Sequence, residues 1–152
     1  MASQPHEQAA CKFDAMINSF ADEIKVSRRL TSYGATRIDT PERNKQADRS
    51  WKPTRKRRKF PMMALEVNVS ETTTKLEKDI AWWINGLEGE VRIGITIDIK
   101  RRSGCIEIES WTPAFDPSLH RDYVIASGRH VLENYAEGRP LPQIAQSSLR
   151  ER

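Results

Sequence analysis

The sequence predicts a mixed α/β domain, a small mixed sheet flanked by helices. Two observations predict it. Residues 62–69 and 91–99 alternate apolar and polar side chains with period two, the signature of a strand with two different faces. The stretches around Phe13 and Trp83 instead repeat their apolar residues every three or four positions, which is helical spacing. Helices and strands interleaved in this way pack as helices against a sheet.

Taken in order, residues 1–7 read as a disordered N-terminus. From Gln8 to about Arg29 the positions Ala9, Ala10, Phe13, Met16, Ile17, Phe20 and Ile24 recur at helical steps. Leu30 to Ile38 carries a weak strand signal. Asp39 to Asp48 reads as a polar loop with Pro41. Asp48 to Trp51 reads as a short strand ended by Pro53. In Met62–Val69, Leu65, Val67 and Val69 share one face, while Ala64, Glu66 and Asn68 share the other. Ser70 is placed to cap a helix running from about Glu71 to Asn85, with Leu76, Ile80, Trp83 and Ile84 on one side and Gly86 as its stop. Val91, Ile93, Ile95, Ile97 and Ile99 alternate with polar partners. After the turn Arg102-Ser103-Gly104, the segment Cys105–Trp111 returns as a strand. Thr112–Arg121 reads as a Pro-bearing loop, Asp122–Tyr135 as a helix weakened by Gly128, and Gly138–Arg152 as a flexible tail. The expected organisation is a core domain over 8–111 and a polar, partly helical extension over 112–152.

The 152 residues fit one domain, and a hydrophobic share of 38% is low for a globular chain but too high for full disorder. The formal charge of +4 is concentrated in one run. Two cysteines, Cys11 and Cys105, make no disulfide framework and fit a reducing compartment. No apolar run approaches the roughly 18 residues of a membrane span, and the first residues lack the apolar core of a signal peptide. The expectation is an intracellular protein of nucleus or cytoplasm, with no membrane partner. His6, His120 and His130 have no metal-ligand spacing, Ser70 has no triad, and no glycine-rich phosphate loop occurs, so zinc, triad hydrolysis and nucleotide triphosphates are not supported.

Chemistry starts from Glu66. An acid on a buried strand is costly without a partner such as a base or a metal. Asp48 lies 18 residues earlier on a neighbouring candidate strand. If the strands pair, the two carboxylates suit a hard cation such as Mg²⁺, which activates water and stabilises charge on a phosphodiester. The competing reading gives Asp48 to a turn and Glu66 to a nearby Lys or Arg. The run Lys52, Arg55, Lys56, Arg57, Arg58 and Lys59, in the basic loop 52–59, attracts phosphates and equally fits a nuclear import signal or a solvated loop. As a loop tethered to the acidic pair, it is expected beside any site they form. Asp98-Ile99-Lys100 is a literal DxK, read as lining the solvent side of its strand. Trp83 reads as core, and Trp82 as edge packing or a base-stacking ring. Trp51 and Trp111 read as packing at strand ends.

The segments KQADRSW (45–51) and FPMMALEVNVSE (60–71), continued by KLEKDIAWWING (75–86), EVRIGITIDIKR (90–101) and IEIESW (106–111), resemble the restriction-endonuclease-like PD-(D/E)XK superfamily. More narrowly they are similar to a group of uncharacterised fungal proteins of that type. The resemblance covers about Asp39–Trp111, under half the chain, and implies an αβββαβ core. It implies Asp48 as the first metal-binding acid, with Ala47 where proline is usual, and Glu66 as the second. The lysine expected two residues after the second acid is here Asn68. Lys75 or Lys78, on the following helix, are the implied substitutes, and Glu23 or Asp22 the implied third acid. The implied activity is Mg²⁺-dependent cleavage of nucleic-acid phosphodiesters, in an active or a degenerate version. The alternative is a non-catalytic scaffold of that fold, binding nucleic acid or a protein, which Asn68 and Ala47 favour.

Overall fold

The computed structural model describes residues 3–35, 37–41, 43–55, 57–69, 73–116 and 121–132, with side chains described as far as Pro113. Lys56, the Ser70 cap, Tyr135 and the tail from Gly138 lie outside the described residues.

A long helix, α1 (Gln4–Glu23), opens the chain. Strands β1 (Leu30–Gly34), β2 (Arg37–Asp39), β3 (Asn44–Gln46), β4 (Arg49–Pro53) and β5 (Met63–Asn68) follow. Helix α2 (Thr73–Asn85) crosses to β6 (Ile93–Lys100), and β7 (Cys105–Asp116) and β8 (Arg121–Leu132) complete the described residues. One six-stranded sheet runs in the order β1-β4-β5-β6-β7-β8, and β2 and β3 form a separate hairpin. All neighbours in the large sheet are antiparallel except β5 and β6, which pair parallel from Met63–Ile93 to Asn68–Asp98. The parallel step is the one that needs a crossover helix, and α2 supplies it. Without the inserted hairpin, the first six elements are α, three strands, α and a strand, the order the sequence implies.

The alternation in β5 separates two cores. Met63, Leu65 and Val67 pack with Ala10 and Phe13 of α1, Trp51 and Ile97. Ala64 faces the other way, with Ile80, Trp83 and Ile84 of α2, Leu87 and Val91. Gly94 of β6 lets α2 approach: a Cβ there would lie 2.5 Å from Ile80 Cγ1. Burying aliphatic side chains of this size contributes about 1.5–3 kcal/mol each, so the two clusters fix β5 between the helices.

Four expectations are corrected. Helix α1 starts at Gln4, inside the segment read as disordered, because Pro5 in its first turn lacks only an N–H that a helix leaves unpaired anyway. Its apolar stripe is only partly covered: Ala10, Phe13 and Ala21 are buried, while Met16, Phe20 and Ile24 are about half exposed. Most of the polar stretch 39–48 belongs to the β2–β3 hairpin, closed where Thr40 Oγ1 accepts the Arg43 N–H (3.1 Å). Strand β7 continues past Trp111 to Asp116, and Asp122–Leu132 is strand rather than helix. Pro113 lies two residues beyond the last β6–β7 pair, Gly94–Trp111, where the β6 ladder has already ended. Gly128, which weakens a helix, sits opposite Ser110 where the β7–β8 register shifts.

Candidate active site

The site forms at one end of the sheet, where β4 begins and β5 finishes. Arg49 pairs with Leu65, so Asp48 arrives next to Glu66. Regular pairing stops there. The Asp48 N–H donates to Leu65 O (3.0 Å), and the Asp48 carboxylate replaces a backbone acceptor for the Val67 N–H (2.7 Å). His6, from the first turn of α1, meets the same carboxylate oxygen at 3.2 Å. The two acids placed 18 residues apart by the sequence therefore belong to one cleft of about 230 Å³, lined also by Lys45, Asn68, Lys75 and Asp79.

Glu66 is 7% exposed, and Trp83 Nε1 and Lys45 Nζ (3.0 Å) both donate to its Oε1. Lys45 Nζ also meets Asp79 at 3.2 Å, and Arg43 donates to the other oxygen of Asp79 at 2.8 Å. Burial pushes the Glu66 carboxyl above its usual range, with Lys45 and Trp83 opposing and Asp48 adding to the rise. Burial likewise raises Asp48, against the Val67 N–H, His6 and Lys45. Glu66 thus feels Asp48 as well as its own burial. Two desolvated carboxylates of this kind are relieved by a proton or a cation. Among the described residues, Asp48 Oδ1 and Glu66 Oε2 accept no hydrogen bond, which leaves one hard oxygen of each acid for a cation. No group of three or more His, Cys, Asp or Glu side chains among the described residues is arranged as a metal cage, so water or substrate oxygens would complete any such shell.

The implied lysines separate. Lys75 lines the cleft from the first turn of α2, whereas Lys78 is exposed and off its walls. The buried lysine of the site is Lys45, which the sequence reading missed. No local pattern marks it: only the β2–β3 pairing sets Lys45 opposite Ile38, and a buried Ile38 turns Lys45 inward too. Asp79 was also missed, although it interrupts the apolar stripe of α2 between Leu76 and Trp83. His6 was hidden in the segment read as disordered. Asp22 and Glu23 are corrected: both are exposed at the far end of α1, 16 or more residues beyond His6, while the N-terminal turn reaches the cleft.

Asn68 does not stand in for a lysine. Its Nδ2 donates to Asp98 Oδ1 (3.0 Å). Asp98 is 2% exposed rather than on the solvent side, held by Lys100 Nζ (2.8 Å) and the Thr73 hydroxyl (3.1 Å). The DxK pair is thus an internal ion pair beside the cleft, and the hydrogen bond with Asp98 raises the Lys100 ammonium. Trp82 packs edge-on to Trp83 under Arg43, and Trp51 is core, its Nε1 donating to Asp14 (3.1 Å).

The basic run is displaced from the site. Strand β4 leads away from Asp48 and β5 returns toward Glu66, so the loop joining them sits at the opposite end of the sheet. Asp48 to Pro53 is five steps, or about 16 Å at ~3.3 Å per residue. Lys52, Arg55, Arg57, Arg58 and Lys59 therefore do not wall the cleft.

No protein-family profile matches the chain, and no curated protein matches it. Among solved structures, it is similar to a candidate nuclease belonging to DUF820 from Anabaena variabilis, with a TM-score of 0.53 and 17% identity over 93% of this chain and 74% of that one. At that identity the likeness is one of fold: the chain has a mixed sheet flanked by helices like that of the Anabaena protein.

Proposed function

We propose that this chain is a nuclease-fold protein of the PD-(D/E)XK type whose cleft cuts nucleic-acid phosphodiesters with Mg²⁺ or Mn²⁺. The similarity to uncharacterised fungal proteins of that type rests on the sequence motifs and is part of this proposal. The observation that carries it is the convergence of Asp48 and Glu66 on one cleft with Lys45 against Glu66. Asp48 and Glu66 would hold the cation, which when bound supplies Lewis acidity at the phosphate and a more acidic water. Lys45 takes the role that the resemblance gives to a lysine after the second acid. Its ammonium, 3.0 Å from Glu66, sits where it can orient an attacking water and stabilise charge developing on phosphate oxygens. Lys75, at the open edge of the cleft, neutralises the incoming backbone. The fold of the Anabaena candidate nuclease supports the same reading.

The test is cleavage of plasmid and single-stranded DNA or RNA, with Mg²⁺ or Mn²⁺, beside Glu66→Ala and Lys45→Met. Loss of cleavage in both variants is expected. Equal cleavage by the parent and Glu66→Ala would rule the site out.

A second reading is favoured by one observation. Lys45 already bridges Glu66 and Asp79, an arrangement that neutralises the cleft from within. In a non-catalytic scaffold this bridge is structural. Millimolar Mg²⁺ then leaves the melting temperature unchanged, whereas a working site raises it by mass action.

A further inference from the structure

The end of the sheet opposite the cleft gathers a second functional surface from two separate parts of the sequence. A short 3-10 turn, Ser27–Arg29, leads into β1, the edge strand of the sheet. Arg29 O accepts the Thr54 N–H (2.9 Å), and the hydroxyls of Thr31 and Thr54 lie 2.8 Å apart. Arg28 and Arg29 are thereby clamped beside the β4–β5 loop, 26 residues further on in the case of Arg29 and Arg55. Lys52 Nζ donates to Lys59 O (3.1 Å), which ties the two ends of that loop together. The same Nζ lies 5.0 Å from the ring centre of Tyr33, which is 48% exposed on β1. Arg28, Arg29, Arg55, Arg57 and Lys59 are exposed.

The turn and the loop carry no acid of their own. Among the described residues, Arg28, Arg29, Lys52, Arg55, Arg57 and Lys59 form no ion pair with an acid, while Arg58 meets Glu90 at 3.7 Å. Four exposed acids lie near it: Asp22 and Glu23 precede the turn, and Asp39 and Glu88 share a surface pocket with Lys59, Asp39 being already taken by Arg37 at 2.9 Å. Uncompensated cations held near one another at fixed places on a sheet edge repel, and that repulsion is relieved by a polyanion that displaces counterions. An aromatic ring at the edge of such a patch adds a sequence-tolerant surface for a base.

We infer that this edge, built from Arg28, Arg29, Tyr33, Lys52, Arg55 and Arg57, is a docking surface for the phosphodiester backbone of nucleic acid, separate from the cleft. This goes beyond the proposed cleavage and does not rest on it. The surface holds backbone without reading sequence, and it tolerates substitution because its arginines support no core contact.

The test is fluorescence anisotropy of labelled 20-nucleotide oligo-dT, and of a 20-base-pair duplex, with the full chain in EDTA over a salt series. The parent is expected to bind both, with affinity falling as salt rises. The variant Arg28→Ala/Arg29→Ala/Arg55→Ala/Arg57→Ala is expected to lose at least tenfold in affinity. Its log K against log salt slope on the single strand should flatten by about 2.8, four contacts at ~0.7 each. Lys12→Ala/Arg101→Ala, exposed and off the patch, is the charge control and should stay within twofold of the parent. Tyr33→Ala should weaken the single strand more than the duplex. Absence of binding by the parent at low salt would overturn the inference, as would an unchanged slope in the quadruple variant. Equal affinity for an acidic polypeptide would also overturn it, because the surface would then serve a protein partner. Circular dichroism and melting confirm that the variants fold.

Discussion

Replacing Lys45 by methionine isolates the electrostatics of the cleft. The side chain of Lys45 is 8% exposed and bridges Glu66 (9%) and Asp79 (10%) at 3.0 and 3.2 Å. Asp79 keeps Arg43 at 2.8 Å, so the uncompensated group in the variant is Glu66. Removing one partner of a buried ion pair costs about 3–5 kcal/mol. For a chain of this size that is a fall in melting temperature of roughly 10 °C. The cost depends on pH. Burial already raises the Glu66 carboxyl above its usual 4.5, and Lys45 opposes the rise, so its loss drives the carboxyl higher still. A group whose folded pKa is raised contributes stability that is fully present below the unfolded value and is lost as pH rises through the folded one. The deficit of Lys45→Met should therefore be small near pH 4.5 and grow toward pH 8. Urea denaturation at pH 4.5, 6 and 8 measures it, with Lys45→Met/Glu66→Gln expected to recover most of the loss at pH 8. A deficit under 1 kcal/mol at pH 8, or one equal at all three values, would refute the reasoning.

Four further outcomes follow from the same contacts. In the parent, the burial-raised Asp48 and Glu66 make stability fall as pH climbs above the ordinary carboxylate range, and 10 mM Mg²⁺ should offset this at pH 8 and not at pH 4.5. With a dissociation constant of about 1 mM that offset is about 1.4 kcal/mol, absent in Glu66→Gln, and thermal melting reads it. Trp83→Phe removes a donor to Glu66 from a fully buried position and should cost at least ~1.5–3 kcal/mol in urea denaturation at pH 8, less at pH 4.5. Gly94→Ala forces a methyl against Ile80, which has no solvent-exposed surface to retreat into, and should cost about 1–3 kcal/mol in denaturation while weakening any metal response by shifting α2. Lys78→Ala, exposed and off the cleft, should leave both metal response and cleavage within twofold of the parent, in contrast to Lys45→Met.

Legibility in the sequence followed the range of the interactions. The β5 and β6 strands and α2 were readable because side-chain alternation and helical spacing are local, and each also packs two faces or one apolar stripe. The Asp48–Glu66 encounter was readable because the two acids flank a single hairpin whose strands pair. Lys45 was not, because its inward turn depends on a second hairpin with only three residues per strand, whose polar composition looks like loop. Strand β8 was misread for a different reason. Its apolar residues fit helical steps as well as extended ones, and the choice is made by the long pairing with β7, which no local pattern encodes. The basic run was recognised as a unit but placed at the wrong end. Nearness in the chain to Asp48 suggested nearness in space, whereas a strand carries the chain about 16 Å in five residues.

That strand direction also orders the chemistry. A hairpin has one open end and one closed end, and here they carry opposite charge problems. At the open end, β4 and β5 bring carboxylates together, His6 from α1 and Lys45 from the β2–β3 hairpin meet them, and Arg43 of the same hairpin holds Asp79. The acids there are buried, so their balance is internal, and a cation entering the cleft must share Glu66 with Lys45. At the closed end the cations are exposed and their balance must come from solvent ions or a bound polyanion. Deep charges respond weakly to salt and strongly to pH or metal, while surface charges respond strongly to salt. The two ends are therefore separable by experiment in one protein: a salt series reads the basic edge, and a pH and metal series reads the cleft. A chain in which the cleft titrates with salt as steeply as the edge would have its acids in open water, and the buried bridge through Lys45 would not exist.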